Sequence, residues 1–226
     1  MNSKMKIDIV SDVSCPWCII GYQSLHAALE ERGELDACDL NWLPFELNPA
    51  MPAEGQDIRE HMQQKYGATP EQSAANRENI KQRGAAVGYD FNFAAEGRIY
   101  NTFDAHRLLH WAREHGRQTE LKLALFDLYF KDQGNPDDHQ TLVKYAEQVG
   151  LDGEAALEVL SSGRYEKEVR AEQEFAWQQG ITAVPTFIFN DKYMVNGGQP
   201  KDVFINVFEQ LAAMADKESA KQVHKG

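Results

Sequence analysis

Strand-like sequence stands at both ends of this 226-residue chain, and a long helical stretch separates the two parts. Apolar runs predict strands over 5–10 and 38–45 near the start, and over 186–189 and 193–195 near the end. From about residue 56 to 179 the spacing of apolar residues is helical almost throughout. A four-stranded sheet interrupted by a helical insert fits this order, and so does one compact body whose helices pack over a cleft.

The first helix is predicted to begin at Pro16 and to run to about Arg32, with Gly33 as the residue that follows its end. Proline is favoured at a first helical position because its missing N–H has no intrahelical partner there. Gly21 costs about 1 kcal/mol of helix stability relative to alanine, which a close contact from another element would explain. The residues expected on the buried face are Cys18, Tyr22, Leu25 and Leu29.

The helical stretch contains its own start and stop signals. Thr69 is a cap, Pro70 follows it at the first helical position, and a glutamine stands three residues after the cap, so this helix is expected to end near Gly88. A last helix opens at Pro200, and the tail after about Asp216 is polar and expected to fray. Further helices are predicted over 102–115, 118–131, 138–149, 152–160 and 165–179.

The charge balance excludes several classes of partner. The net charge is −12, from 35 acidic and 23 basic residues, whereas a protein that binds nucleic acid needs a basic surface. No apolar run approaches the ~20 residues of a membrane span. The apolar stretch near the N-terminus is too short for a signal peptide, and Asp8 interrupts it. We therefore expect a cytoplasmic protein, unless a precursor segment was removed, with no nucleic-acid or membrane partner.

Three cysteines are too few for a disulfide framework, but two of them form a Cys-x-x-Cys motif, which in a reducing compartment is typical of a catalytic or metal-binding pair. Cys15 precedes the first turn of the helix and Cys18 lies one turn inside it. Because N–H groups at a helix N-terminus carry partial positive charge, we expect Cys15 to be the more ionised sulfur, which attacks and leaves, and Cys18 to resolve the mixed disulfide. Pro16 and Trp17, which is expected to stay exposed, would tune this chemistry.

The cysteine pair allows two other interpretations. A structural zinc site usually needs four ligands, and neither a second Cys-x-x-Cys nor a Cys-His pair is present, so no metal is expected. The two cysteines could also be close only by chance, but their position between a strand and a helix start argues against this.

Five stretches of the chain share a pattern with one family: SDVSCPWC (11–18), FELNP (45–49), NTFDAHRLLH (101–110), VPTF (184–187) and YMVNGGQP (193–200). They resemble the DsbA-like thioredoxin superfamily, in its cytosolic FrnE-like branch. The resemblance covers about residues 6–211, and the stretch from 101 to 110 is its most specific part.

The resemblance implies an α/β thioredoxin-like fold, with a four-stranded mixed sheet and a large all-helical insert. The expected boundaries are 1–52 and 165–215 for the two parts of the sheet domain, 53–164 for the insert and 216–226 for the tail. In such a fold a proline in the position of Pro185 is typically cis and faces the two cysteines. Val184 could then pair with an extended substrate strand, although Pro185 alone could be an ordinary proline at a strand entry.

The function implied is dithiol–disulfide exchange with protein substrates or small thiols, without a bound cofactor. Glutathione remains open as a co-substrate, and so does association into a homodimer. The same superfamily includes kappa-class glutathione transferases and 2-hydroxychromene-2-carboxylate isomerases, which typically carry serine at the attacking position. The presence of both cysteines favours redox chemistry over a glutathione-dependent transferase or isomerase. A third hypothesis is a binding or holdase module whose thiols are incidental.

Four further residues could have a role at the site. His106 and His110 stand one turn apart on a helix, a spacing that can hold a metal, but a structural or cleft-lining role is favoured because no further ligand is tied to them. Glu46 follows the second strand and could relay a proton, with a buried salt bridge or a surface position as the alternative. Cys38 alternates with apolar residues and is expected to be a small buried core residue.

Overall fold

The computed structural model describes residues 4–94 and 97–223, with side chains up to residue 215. The strands are β1 (Met5–Ser11), β2 (Cys38–Pro44), β3 (Gln56–Asp57), β4 (Arg98–Ile99), β5 (Thr186–Phe189) and β6 (Tyr193–Asn196). The helices are α1 (Pro16–Arg32), α2 (Ile58–Tyr66), α3 (Pro70–Ala86), α4 (Phe103–Glu114), α5 (Gln118–Phe130), α6 (His139–Gln148), α7 (Gly153–Ser161), α8 (Glu166–Gln178) and α9 (Lys201–Val223).

The main sheet has four strands in the order β2-β1-β5-β6. β1 pairs in parallel with β2 and antiparallel with β5, which in turn pairs antiparallel with β6. The predicted mixed sheet is therefore confirmed, and seven helices, α2 to α8, lie between β2 and β5 in the sequence. The proposed boundaries at residues 53 and 165 stay predictions.

Alternation along β1 sends side chains to two different cores. Ile7 and Ile9 are fully buried in a core with α1 and α9, as their shared face predicted. Val10 points to the other face, where it packs with Ala176 of α8 and with Ile188. Both faces of the sheet are thus covered by helices, and the carboxyl end of β1 delivers the chain into the interior.

The first helix forms as its sequence predicts. Pro16 is its first residue, and Gly33 ends it in the left-handed conformation with φ of 66°. The four residues predicted to share its inner face are all buried. Thr69 likewise forms the expected capping box with Gln72 at the start of α3.

Helices α4 to α7 enclose a second core of their own. It is built mainly from leucines of α4 and α5 and from apolar residues of α6 and α7, and it also takes in Val13 from the connection between β1 and α1. Arg107 of α4 is buried and donates to the backbone carbonyls of Val159, Leu160 and Arg164, so it braces α4 against the end of α7. The segment that precedes the cysteine motif is therefore anchored in the helical part of the molecule.

Three features were not predicted. The small β3–β4 sheet joins residues 56–57 to residues 98–99. Asp57 caps the N-terminus of α2, and its carboxylate accepts the N–H groups of Arg59 and Glu60. Helix α9 continues to Val223, beyond the predicted start of a frayed tail, since no proline or glycine interrupts the sequence between Pro200 and the C-terminal residue. The last three residues of the predicted tail lie outside the described residues. No helix in the described part of the chain is both long and apolar enough to cross a membrane.

Gly21 is required by a close approach of β5. A Cβ atom built on Gly21 would lie 2.9 Å from Cζ of the fully buried Phe187. We expect Gly21→Ala to lower the free energy of unfolding by about 1–2 kcal/mol, because overpacking costs about 1–3 kcal/mol and outweighs the gain of about 1 kcal/mol in helix propensity. Urea denaturation followed by circular dichroism measures this.

Gly153→Ala is the matched control, because the added methyl group would meet only the flexible side chain of the exposed Glu147. It should be neutral or stabilising. If the two substitutions changed the free energy of unfolding equally, the contact with Phe187 would not explain why position 21 requires glycine.

Candidate active site

The two cysteines of the motif lie at the start of α1, next to the end of β1. Cys15 is the residue before the first helical residue, with extended backbone angles, and the N–H of Cys18 donates to its carbonyl oxygen at 3.1 Å. Both are free thiols; Cys15 retains 4% of its surface and Cys18 none. Cys15 is therefore the sulfur nearer to the surface of the site, with Cys18 behind it.

The returning strand lies against Cys15. The peptide bond between Val184 and Pro185 is cis, as expected. The sulfur of Cys15 lies 3.7 Å from the carbonyl oxygen of Val184, and the carbonyl of Pro185 accepts the N–H of Gly197 at 2.8 Å. Residues that are 169 positions apart in the sequence thus meet at one sulfur.

The two thiols ionise in a different order from the one expected. A hydrogen bond to Cys18, with burial, raises the pKa of Cys15 well above its ordinary value. Burial also opposes ionisation of Cys18, but the hydrogen bond from Cys15 and the charge of Lys122 outweigh it and lower the pKa of Cys18. In the reduced pair the first negative charge therefore rests on the inner sulfur, which the proton of Cys15 stabilises. The helix N-terminus alone does not decide the order.

Asp12 organises the loop that carries the motif. Its fully buried carboxylate accepts the N–H of Ser14 at 3.3 Å and the N–H of Leu47 at 2.7 Å. Although burial opposes its ionisation, the hydrogen bond and charge of His106 and the N–H of Leu47 hold the pKa of Asp12 below its usual value. Asp12 therefore carries a permanent negative charge close to the cysteines at neutral pH.

His106 joins α4 to this loop. Its Nε2 donates to the carbonyl oxygen of Phe45 at 2.9 Å and lies 3.6 Å from Oδ1 of Asp12. A carbonyl oxygen can only accept, so this contact places a proton on Nε2. His106 holds the loop from behind and does not line the space in front of Cys15.

In front of Cys15 lies a large chamber of about 580 Å³. Helices α2 and α3 and the segment around β4 form its outer wall, and Cys15, Trp17 and Val184 lie on its inner side. The apolar part of its wall includes Ile58, Met62, Ile80, Phe93, Ile99 and Phe130. A pocket of this size and character suits a small organic molecule.

The charged side chains of the chamber wall are basic, and the other polar ones are neutral. Arg59, Arg77 and Arg98 line it together with His61. The guanidinium of Arg98 donates to the carbonyl oxygens of Glu54 and Gly55, which fixes it in place. Arg77 is half-buried on the inner side of α3 and, among the described residues, forms no salt bridge. The chamber therefore offers cationic groups to a ligand in a protein whose net charge is strongly negative.

Other residues singled out from the sequence lie elsewhere. Glu46 forms a salt bridge with Arg170 and accepts a hydrogen bond from Gln173 at 2.9 Å, so the structure places it in the buried salt bridge that was the alternative to a proton relay. Trp17 is half-buried, because its ring packs against Gly198, and is not as exposed as expected. Cys38 is also only half-buried at the edge strand β2, and burial together with the charge of Glu34 raises the pKa of its thiol to about 11.

His110 is part of an ion-pair cluster. Its Nδ1 lies 3.3 Å from Glu172, which also pairs with Arg113 at 2.7 Å. Within the described residues no group of three or more potential ligands could hold a metal ion.

Lys122 and Asp12 are the residues that sequence reasoning missed. Lys122 is 1% exposed in α5, and burial lowers its pKa to about 8, against the opposing charges of Cys18, Asp12 and Cys15. Lys122 stands next to Leu121, three residues before Leu125 and four before Phe126, on the apolar face of a predicted helix. This spacing could have predicted a buried lysine.

Comparison with known proteins places this architecture in one family. The DSBA-like thioredoxin domain matches residues 6–209. The protein YwbO of Bacillus subtilis (strain 168), which is described as uncharacterized, is 31% identical over 199 residues, 88% of this chain and 92% of YwbO. The chain belongs to the family of DSBA-like thioredoxin domains.

Solved structures share the fold. The probable DsbA oxidoreductase SCO1869 from Streptomyces coelicolor is 35% identical, with a TM-score of 0.86 over 91% of this chain and 89% of the other. The cytosolic disulfide reductase DsbM from Pseudomonas aeruginosa is similar in fold alone, with 16% identity and a TM-score of 0.64 over 92% of this chain and 99% of that one. Fold similarity of this extent includes both the sheet and the helical stretch.

Removing the carboxylate of Asp12 should destabilise the protein. We expect Asp12→Ala to lower the free energy of unfolding by about 2–4 kcal/mol at pH 7, since each buried N–H left without an acceptor costs about 1–3 kcal/mol. Because the pKa of Asp12 is lowered in the folded protein, this stabilisation is complete above the ordinary aspartate pKa and is lost as the pH falls. Urea denaturation at several pH values measures the difference.

The control is Asp39→Ala, which removes an exposed carboxylate of β2. It should change the free energy of unfolding little. The difference in free energy of unfolding between the two variants should become smaller below about pH 4. A difference in free energy of unfolding that does not change with pH would contradict the role assigned to the charge of Asp12.

Proposed function

We propose that the protein is a thiol–disulfide oxidoreductase or isomerase in which Cys15 attacks and Cys18 resolves. The observation that carries this proposal is the arrangement of the two sulfurs: Cys15 lines the chamber beside Val184, and Cys18 is completely buried behind it. A disulfide that enters the chamber can reach only the outer sulfur directly.

The ionisation of the pair suits this division of roles. In the reduced protein the thiol of Cys15 shares its proton with the inner sulfur. Transfer of that proton to Cys18 produces a thiolate at the chamber wall, and this thiolate attacks a sulfur of the substrate disulfide. A Cys15–substrate disulfide forms, and the other half of the substrate leaves as a thiolate that takes a proton from water.

The chamber favours a small thiol as one substrate. Its volume of about 580 Å³ fits a small molecule better than a folded protein surface. Arg77 and Arg98 on its wall would attract the carboxylates of a thiol peptide such as glutathione. A structure of the DsbM protein carries glutathione, which agrees with this substrate class. No bound cofactor is needed beyond the two cysteines.

A protein substrate would approach from the side of Val184. The chain before β5 forms neither helix nor strand there, and Thr182 and Ala183 are exposed. An extended peptide could add along this segment by backbone hydrogen bonds while its disulfide reaches Cys15. We further propose that the protein works in the cytoplasm, as the cytosolic disulfide reductase DsbM does.

Replacing single cysteines separates their roles. Cys15→Ser should reduce the rate of glutathione-dependent reduction of a model protein disulfide to background, because no attacking sulfur remains at the chamber wall. Cys18→Ser should form a stable mixed disulfide with the substrate, detectable by mass spectrometry of the intact protein, because nothing resolves it.

Cys38→Ser serves as the matched control, since Cys38 lies on β2, away from the chamber. It should keep the wild-type rate. Full activity of Cys15→Ser would contradict the proposed mechanism.

A second candidate is a glutathione-dependent transferase or isomerase that uses one thiolate, and the apolar chamber beside Cys15 is the observation that favours it. This function predicts that turnover of a small aromatic substrate requires glutathione and survives Cys18→Ser. If that variant loses all turnover, dithiol exchange is retained and the second candidate is excluded.

A further inference from the structure

The described residues contain one lysine that the proposed reaction does not yet use and that is almost completely buried. Lys122 belongs to α5, is 1% exposed and is among the largest fully buried side chains of the protein. Burial of a charged ammonium is costly unless opposite charge or polarisable groups surround it. Its surroundings should therefore explain why a lysine occupies this position.

Aromatic rings and a side-chain bridge to β2 form its immediate surroundings. The ammonium nitrogen lies 5.4 Å from the ring centroid of Trp42 and 5.1 Å from that of Phe126, both within the range of cation–π attraction. Gln118, one turn earlier on α5, accepts the N–H of Trp42 at 2.9 Å and donates to its carbonyl oxygen at 3.0 Å. These contacts fix α5 against β2 and hold Lys122 in one place.

Charged and titratable groups face Lys122 from several elements. Cys15 and Cys18 belong to the same buried core as Trp42 and Phe126, whose rings flank the ammonium of Lys122. Their charges act on Lys122 from the start of α1, and that of Asp12 acts from the preceding loop. A small polar void of about 10 Å³ on another side is lined by Lys122 together with Gln118 of α5, His106 and His110 of α4, and Glu172 of α8.

The carboxylate on that side is already neutralised. Glu172 pairs with Arg113 at 2.7 Å and with His110 at 3.3 Å. The negative charge that remains for Lys122 to balance is therefore that of Asp12 and of the cysteine pair. Asp12 alone would balance one lysine, but it already accepts two backbone N–H groups and lies beside His106. The thiolate of the cysteine pair is the negative charge that appears and disappears during the reaction.

We propose that Lys122 is a positioning residue that stabilises the thiolate of the Cys15–Cys18 pair and thereby sets its redox equilibrium. This proposal rests on the dithiol exchange proposed above. In the resolving step the thiolate of Cys18 attacks Cys15, the Cys15–Cys18 disulfide forms, and the bond from Cys15 to the substrate breaks. The substrate sulfur leaves with the electron pair and takes up the proton that Cys18 released to solvent. Lys122 keeps its own proton and only stabilises the anionic sulfur.

Two measurable consequences follow from charge balance. A cation near the thiolate favours the dithiol form, so its removal should favour the disulfide. By reciprocity, loss of the thiolate on oxidation should make it easier to deprotonate Lys122. Neither effect is expected of a lysine that only fills space in the core.

The first experiment uses Lys122→Met, which keeps the length of the side chain and removes its charge. In glutathione buffers at pH 7, the equilibrium constant between the dithiol and disulfide forms should shift about tenfold toward the disulfide. For this two-electron couple that is about 30 mV in reduction potential. Absorbance of the reduced protein near 240 nm should show about tenfold less thiolate at pH 7. Above about pH 9 the two proteins should converge, because the wild-type lysine, with its pKa of about 8, is then neutral.

The matched control is Lys131→Met, which removes the same charge from the C-terminal end of the same helix, where Lys131 pairs with Asp127 at 3.0 Å near the surface. It should leave the glutathione equilibrium and the thiolate absorbance unchanged. Equal shifts in both variants would overturn the proposal, because they would reflect net charge alone.

The second experiment uses the wild-type protein and does not depend on how the variant folds. The carbon-13 resonance of the Lys122 side chain is titrated with pH in the dithiol and in the disulfide form. The pKa should be higher in the dithiol form. Equal pKa values in the two redox forms would overturn the proposal, because Lys122 would then balance only the charge of Asp12.

Neither readout requires turnover of a substrate. If Cys15→Ser retained disulfide exchange while Lys122 still titrated differently in the two redox forms, the proposed function would fail and the role of Lys122 would stand. If exchange depended on Cys15 and the two titrations coincided, only the role of Lys122 would fail.

Discussion

The buried carboxylate of Asp12 holds together segments that the sequence separates widely. It accepts N–H groups from the cysteine loop and from the residues after β2, and it lies beside His106 of α4. A carboxylate buried without such donors would be strongly destabilised, so the charge forces these segments into one arrangement. The position of Cys15 depends on that arrangement, because the loop between β1 and α1 has no regular structure of its own.

The sheet domain could be predicted from the sequence because its signals are local. Alternation in β1, proline at the start of α1 and the Asn190–Asp191 turn, whose residues both have positive φ, each act within a few positions. The β3–β4 sheet could not be predicted in this way. Each of its strands has only two residues, and the pairing of residues 56–57 with 98–99 depends on how the intervening helices fold.

The same distinction applies to the site. The two cysteines and Pro185 stand in motifs, so their approach could be expected, and the structure brings Cys15 to within 3.7 Å of the Val184 carbonyl oxygen. The ionisation order could not be expected, since it depends on the contact between the two thiols and on a lysine more than 100 positions away. The chamber is equally non-local: its outer wall comes from α2 and α3, whose apolar residues appear in the sequence only as ordinary helix faces.

The distance along the chain between Cys15 and Val184 also has a consequence for synthesis. Proteins are made from the N-terminus, so the cysteine pair leaves the ribosome before Val184, which stands 169 positions after Cys15 and just before β5, the strand that completes the centre of the sheet. Until then β1 has only β2 as a neighbour, and neither the carbonyl of Val184 nor the core residues of β5 cover the sulfurs. A nascent chain therefore carries two thiols that Val184 and the core residues of β5 do not cover until that strand is made.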